Sequence, residues 1–261
     1  MIVGYIQTNP IFGNKEKNFK EVEKLSANIK ADLIVLPELF ATGYTFKSKE
    51  EAYSLAESVS GSTSQFLLQL AQDKGIIFVG GFAEKKGEKL FNSALIVSEN
   101  GVIGTYRKLH LYYREKLWFN PGDKPLRVYN VDGINIGMMI CFDWIFPETA
   151  RTLALLGAEI IAHPANLVLP YCQKAMVTRC LENKVYAITA NRIGQEDRGI
   201  DKFRFTGGSQ ITSYDGGILS SAPFNQTFVG TAEIDINLAR DKKLNEYNDL
   251  LADRRNKFYS N

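Results

Sequence analysis

Glu38, Lys108 and Cys141 each stand at the end of an apolar or β-patterned run, so a carboxylate, an ammonium and a thiol reach strand ends from three separate parts of the chain. Open α/β sheets bind ligands beyond the C-terminal ends of their strands, which makes the three a coherent site for nucleophilic chemistry at sulfur. Taken singly, each has a plainer reading: Glu38 as a solvated loop carboxylate, Lys108 as a surface lysine, Cys141 as a packed cysteine. Two local features draw Cys141 away from packing. It lies between a strand and a helix predicted to begin near Pro147, where the positive end of a helix dipole lowers a thiol pKa. Gly137 and the run Cys141-Phe-Asp-Trp144 point to a tight turn that lifts the sulfur off the sheet.

An alternation of strands and helices must position these residues. Ile2–Gln7 reads as a strand, and Phe19, Val22, Leu25 and Ile29 recur at helical spacing within 14–30. The continuous apolar run from Leu33 to Leu36 predicts a strand buried on both faces, ending at Pro37-Glu38. A helix over 62–74, stopped by Gly75, and a buried strand over 76–80 complete a β-α-β-α-β opening. Asn100-Gly101 marks a hairpin between 92–98 and 102–106, and a loop rich in aromatic and charged residues follows from Lys108 to Asp123. Asp132-Gly133 marks a second hairpin, between 126–131 and 134–140, whose second arm delivers Cys141. A helix over 148–156 opened by Pro147, a strand over 159–162, a helix over 171–183 and a strand over 185–191 repeat the alternation. Strands over 209–213 and 229–236 lie either side of Asp215-Gly-Gly217.

Nothing resembling a linker, a low-complexity tract or a fixed-period repeat interrupts the series, so the 261 residues read as one mixed α/β domain. The polar segment 237–261 either wraps the surface or packs on a second subunit. Apolar residues at 45% and charged residues at 23% describe an ordinary globular chain. A net charge of +2 provides no field to draw it to nucleic acid or membrane. Three cysteines, no basic leader and no long apolar run suggest a reducing, cytoplasmic setting without a membrane partner.

Other chemistries fit less well. A Ser-His-Asp hydrolase would have to draw on two histidines and lacks a G-x-S-x-G elbow. His110 and His163 are therefore read as structural hydrogen-bonding residues. Neither C-x-x-C nor H-E-x-x-H spacing occurs, so no metal is expected, and without phosphate-loop or dinucleotide fingerprints no cofactor is expected either. Cys172 and Cys180 read as packing residues of one helix.

The blocks Leu36-Pro-Glu38-Leu-Phe-Ala-Thr-Gly-Tyr44, Tyr106-Arg-Lys108-Leu-His-Leu111 and Met139-Ile-Cys141-Phe-Asp143 resemble, in order and spacing, the signatures of the nitrilase superfamily. The likeness extends through Phe119-Asn-Pro-Gly-Asp123, His163-Pro-Ala-Asn166, Arg179-Cys-Leu-Glu-Asn183 and Ala190-Asn-Arg-Ile-Gly194 to Asp253-Arg-Arg-Asn-Lys-Phe-Tyr259, nearly the whole chain. It implies an α-β-β-α sandwich paired through a helical face into a homodimer or larger homo-oligomer. It also implies Glu38 as general base, Lys108 as oxyanion stabiliser and Cys141 as nucleophile, with a further carboxylate best matched by Glu115.

The roles are chemically consistent. A thiol of pKa about 8.5 needs a base and a positive neighbour, and Glu38 and Lys108 supply them. Lys108 and the Phe142 N–H would hold the oxyanion, a thioester would form on Cys141, and Glu38 would activate the water that hydrolyses it. Cys-Phe-Asp is similar to the amidase and carbamoylase branches, which favours a small amide over a nitrile. His163-Pro-Ala-Asn-Leu-Val-Leu-Pro170 also looks like archaeal-type nitrilases acting on small dinitriles. Tyr44, Tyr112, Trp144 and Asn166 are the expected substrate-binding side chains of a small pocket. A catalytically silent binding module with the same fold is the competing class.

Overall fold

A computed structural model of the chain describes residues 1–199 and 201–259. Two six-stranded sheets form its centre. The first runs β14 (Phe228–Glu233), β1 (Ile2–Gln7), β2 (Leu33–Val35), β3 (Ile77–Lys86), β4 (Lys89–Ser98), β5 (Gly101–Arg107). The second runs β13 (Ile218–Ser221), β12 (Gln210–Thr212), β9 (Tyr186–Ala190), β8 (Ile160–Pro164), β7 (Ile134–Met138), β6 (Val128–Val131). Each has a parallel centre, β1-β2-β3 in one and β7-β8-β9 in the other, with antiparallel strands at its rims.

The period-2 geometry of a strand explains why the central runs are apolar throughout. Leu33 and Val35 join Val3, Tyr5 and Val79 in a core shared with Met138, Ile160, Ala162 and Ile188 of the other sheet. Ile34 and Leu36 point the other way, into a second core under α1 (Lys15–Ser26) and α3 (Ser62–Lys74), where they meet Val22, Leu67 and Leu70. On the opposite side, α5 (Pro147–Leu155) and α6 (Cys172–Leu181) press Ala150, Leu153, Met176 and both Cys172 and Cys180 against the second sheet. The layers are therefore helix, sheet, sheet, helix, as the resemblance implies.

Several boundaries differ from the sequence reading, each for a physical reason. The helix expected over 14–30 starts where Asn14 accepts from Lys17 N, but ends at Ser26. The strand expected over 76–80 runs on to Lys86, because Glu84, a charged residue that disguises the end of β3, is buried in an ion pair with Arg107. The strand expected to reach Ile140 stops at Met138 and gives way to a 3-10 turn over Cys141–Ile145. Short elements without a strong period were not anticipated: α2 (Lys49–Leu55), α4 (Glu115–Trp118), the β10 (Gln195–Asp197) and β11 (Lys202–Arg204) pair, β13, and α7 (Asn237–Arg240). Among the described residues no helix is long and apolar enough to cross a membrane.

Candidate active site

The fold brings three strand ends together. β5 is antiparallel to β4, which is antiparallel to β3, so β5 and β2 end at the same edge of the sheet and place Lys108 beside Glu38. Pro37-Glu38 turns over β3, and the close approach demands Gly81: a Cβ there would lie 2.5 Å from Glu38 Cα. Lys108 is fixed by its backbone, its N–H donating to Asn92 O at 2.8 Å. Its ammonium donates to Glu38 Oε1 at 2.6 Å and to Glu115 Oε1 at 2.8 Å. Glu115 sits in the first turn of α4, and its Oε2 accepts from Tyr112 N at 3.0 Å. Lys108 and Glu38 are wholly buried and Glu115 nearly so.

Cys141 begins the 3-10 turn with φ +42°, a left-handed conformation that costs a non-glycine residue about 1 to 3 kcal/mol and must be held by its surroundings. Two side chains hold it. His163, on β8, sets Nε2 3.0 Å from Cys141 O and Nδ1 3.1 Å from Thr189 Oγ1. Since the Cys141 carbonyl can only accept, the Nε2–H donates, and Nδ1 is free to accept from the Thr189 hydroxyl. Burial pushes the His163 imidazole down to about 4, so it stays neutral at physiological pH. Asp143 is the second clamp. Its Oδ2 accepts from Ile140 N at 2.9 Å and Tyr106 OH at 2.7 Å, and its Oδ1 from His110 N at 3.1 Å and His110 Nδ1 at 2.7 Å. One carboxylate thereby ties the cysteine turn to both sides of Lys108. Both histidines have the structural roles expected of them.

The electrostatics correct one expectation. The helix-dipole argument predicted a lowered thiol pKa, but the Cys141 thiol is pushed well above its ordinary value. Burial dominates and Glu38 and Glu115 add to it, against Lys108 and a hydrogen bond from the Asn166 backbone. α5 begins only at Pro147, with the whole 3-10 turn between it and Cys141. The cysteine therefore rests as a thiol and ionises only as its proton is taken. Burial pushes Glu38 up to about 7, Lys108 opposing and Glu115 reinforcing the rise. Burial would weaken the Lys108 ammonium, but Glu115, Glu38 and Cys141 more than offset it and hold the proton on.

Cys141 opens into a cavity of about 10 Å³, room for about one water, lined by Tyr112, Phe142, Trp144, Asn166 and Leu167–Leu169. Both polar atoms of the Asn166 side chain are buried without a partner among the described residues. Three of the four side chains expected to bind substrate, Tyr112, Trp144 and Asn166, thus share the wall with Cys141, together with Phe142, also expected at the substrate. Tyr44 does not: it lines a neighbouring cavity with Glu115, Phe46, Trp118 and Phe203. Its loop is pinned by Glu196, whose Oε2 accepts from Tyr44 N at 3.1 Å and Thr45 N at 2.7 Å while Arg192 pairs with Oε1. Sequence reasoning missed the parts played by Asn92, Asp143 and Glu196. The available signal was a polar residue, Asn92, in the middle of an apolar strand, which is buried only with partners. Among the described residues no group of three or more His, Cys, Asp or Glu side chains is placed to hold a metal ion.

Residues 2–243 match the family described as Carbon-nitrogen hydrolase. The chain belongs to that family. This hydrolase is 49% identical over 98% of both chains to a protein named nitrilase from Pyrococcus abyssi. It is 34% identical, over 86% of its own length and 80% of the other, to an (R)-stereoselective amidase from Pseudomonas. Among solved structures it superposes on a carbon-nitrogen hydrolase from Helicobacter pylori with a TM-score of 0.88 and 25% identity, covering 99% and 96% of the two chains.

Proposed function

We propose that this hydrolase converts small aliphatic nitriles to carboxylates and ammonia through a covalent intermediate on Cys141. The observation that carries the reaction class is the single Lys108 ammonium shared by two buried carboxylates beside a strained, pocket-facing cysteine. Glu38 takes the thiol proton as sulfur bonds to the nitrile carbon, and that proton passes to nitrogen to give a thioimidate. Lys108 and the Phe142 N–H hold the heteroatom that gains charge. Water deprotonated by Glu38 adds to the thioimidate, ammonia leaves, and a thioester remains. A second water, activated in the same way, releases the acid and restores the thiol. Glu115 holds Lys108 and positions the leaving group by hydrogen bonding.

The nitrile is placed first because of the nitrilase relative at 49% identity. This reverses the order that Cys141-Phe142-Asp143 suggested, and that motif, with the amidase relative, keeps the amide as the second reading. The close approach of Tyr112, Trp144 and Leu167 around Cys141 favours a small substrate, and Asn166, with neither donor nor acceptor partnered among the described residues, supplies a polar anchor. Leu155 and Leu156 at the end of α5 and Leu181 at the end of α6 are exposed, which supports pairing of two copies through this helical face. Lys242 of the tail donates to Asn183 O and Lys184 O nearby, so the tail belongs with that face of the one hydrolase domain.

Ammonia release from matched small nitriles and amides, by the protein and by Cys141→Ala, tests the reading. Release by both proteins alike sinks the cysteine mechanism, and turnover of the amide alone selects the second reading. Mass spectrometry of trapped protein should find the acyl adduct on Cys141; an adduct on Cys172 or Cys180 overturns the assignment.

A further inference from the structure

We propose that Asn92 is a positioning residue of the hydrolytic site: its side-chain amide engages the same oxygen, Oε1, of both Glu38 and Glu115 and so reserves Glu38 Oε2 as the free basic oxygen. The inference rests on the assignment of Glu38 as the base for Cys141. It begins from a donor inventory. Lys108 gives one N–H to Glu38 Oε1 at 2.6 Å and one to Glu115 Oε1 at 2.8 Å. Asn92 Nδ2 gives to the same two oxygens, at 2.7 Å and 3.5 Å. Tyr112 N takes up Glu115 Oε2 at 3.0 Å. Glu38 Oε2 is then the one carboxylate oxygen of the pair without a donor among the described residues, although it is buried.

The residue is not simple packing. Asn92 is wholly buried in an apolar strand, and its own Oδ1 has no partner among the described residues. An unsatisfied buried acceptor destabilises a core, and an apolar side chain of similar volume would avoid it. The amide cannot turn over to relieve the strain, because ionised carboxylates only accept and Nδ2 must face them. The same residue's backbone oxygen receives Lys108 N at 2.8 Å, so it fixes both ends of the Lys108–Glu38 contact.

The charged and titratable groups around Glu38 are Lys108 at the end of β5, Glu115 of α4, Cys141 of the 3-10 turn and Tyr44 of its own loop. Burial and Glu115 favour the protonated acid, while Lys108 and Asn92 favour the carboxylate. Removing the Asn92 donor leaves Lys108 to oppose burial alone. Glu38 then takes up its proton at higher pH and loses the capacity to accept one from Cys141.

The test is the pH dependence of Cys141 carboxamidomethylation by iodoacetamide, located by peptide mass spectrometry, in the wild type, Asn92→Leu and Asn92→Val. Both substitutions remove the amide without adding a charge, and thermal melts establish which variants are folded. A hydrogen bond to a charged group predicts that the acid limb moves up by about one pH unit, with alkylation about tenfold slower near pH 6 and little changed on the alkaline side. An acid limb that stays in place in Asn92→Leu overturns the proposal. If that variant does not fold, Asn92→Val decides it, since it too removes the donor without adding a charge: a raised limb supports the role and an unmoved limb refutes it. Alkylation requires no turnover, so a protein inactive on nitriles and amides that still shows the shifted limb would lose the functional reading and keep this one.

Discussion

Asp143→Asn exchanges one oxygen of a four-bond hub for a donor, and its cost can be worked from the hydrogen bonds. The carboxylate faces two donors on each side: Ile140 N and Tyr106 OH at Oδ2, His110 N and His110 Nδ1 at Oδ1. However the amide is turned, its NH2 points at one of these pairs. Tyr106 OH can rotate to accept, and His110 can change tautomer, but the backbone N–H of Ile140 or His110 is left facing a donor. A buried unsatisfied donor costs about 1 to 3 kcal/mol, and weakening the remaining charge-assisted bonds costs about 1 to 2 more. The sum, about 2 to 5 kcal/mol, is a large part of the total stability of a typical domain and corresponds to a melting temperature lower by about 5 to 15 °C. Because the hub ties the Cys141 turn to the Lys108 segment, kcat should fall by about tenfold to a hundredfold, with KM changed less. Calorimetry and steady-state ammonia release check both halves. A variant that melts within about 2 °C of the wild type and keeps its kcat would refute the clamp.

Other consequences follow from the buried charges. With Glu38 held near 7, kcat/KM should fall about tenfold per pH unit as pH drops below that value, because a protonated Glu38 cannot accept the thiol proton; a rate independent of pH from 5 to 7 would remove Glu38 as base. His163 is pushed down to about 4 from 6.5, so the unfolded chain binds the extra proton between those values. The stabilising effect of the neutral ring is thus present above pH 6.5 and lost on acidification toward 4, amounting to roughly 3 kcal/mol. In denaturant titrations His163→Asn should lose that slope, while the opposite slope from Glu38 is common to both proteins; parallel curves would contradict the reading. Glu196→Gln should cost about 3 to 5 kcal/mol by leaving Arg192 buried without its anion, lowering the denaturation midpoint; an unchanged midpoint would show that the pair does not anchor the Tyr44 loop.

The order of elements was legible because burial leaves a periodic trace. Leu33–Val35 and residues 160–162 are apolar throughout, since each strand faces a sheet on one side and a helix on the other, and Pro147 and Gly75 mark helix ends where the backbone requires them. The failures occur where polar side chains are buried against partners distant in sequence. Glu84 reads as the onset of a loop, yet it is deep in the sheet because Arg107, 23 residues away, neutralises it. α4 is only four residues long and has no period to detect, although it carries Glu115.

The site shows the same division more sharply. The residues proposed to perform the chemistry lie at strand ends and have distinctive types, so Glu38, Lys108 and Cys141 could be picked out as one site, while their separate roles were implied by the family resemblance. Residues that hold them there are defined by what they touch, and contacts such as His163 to Cys141 O or Asn92 to Glu38 Oε1 leave no spacing signature. The misplaced expectation of an acidified thiol has this origin too. A helix dipole can be read from Pro147, whereas the burial that overrides it exists only once the two sheets have closed over the sulfur. The wholly buried cluster of one lysine and two glutamates can hold a net negative charge that disfavours a resting thiolate, yet the same cluster offers Glu38 Oε2 as an acceptor once attack begins. In the proposed mechanism the proton thus moves within the cluster instead of leaving it, and the thiol ionises only as the carbon–sulfur bond forms.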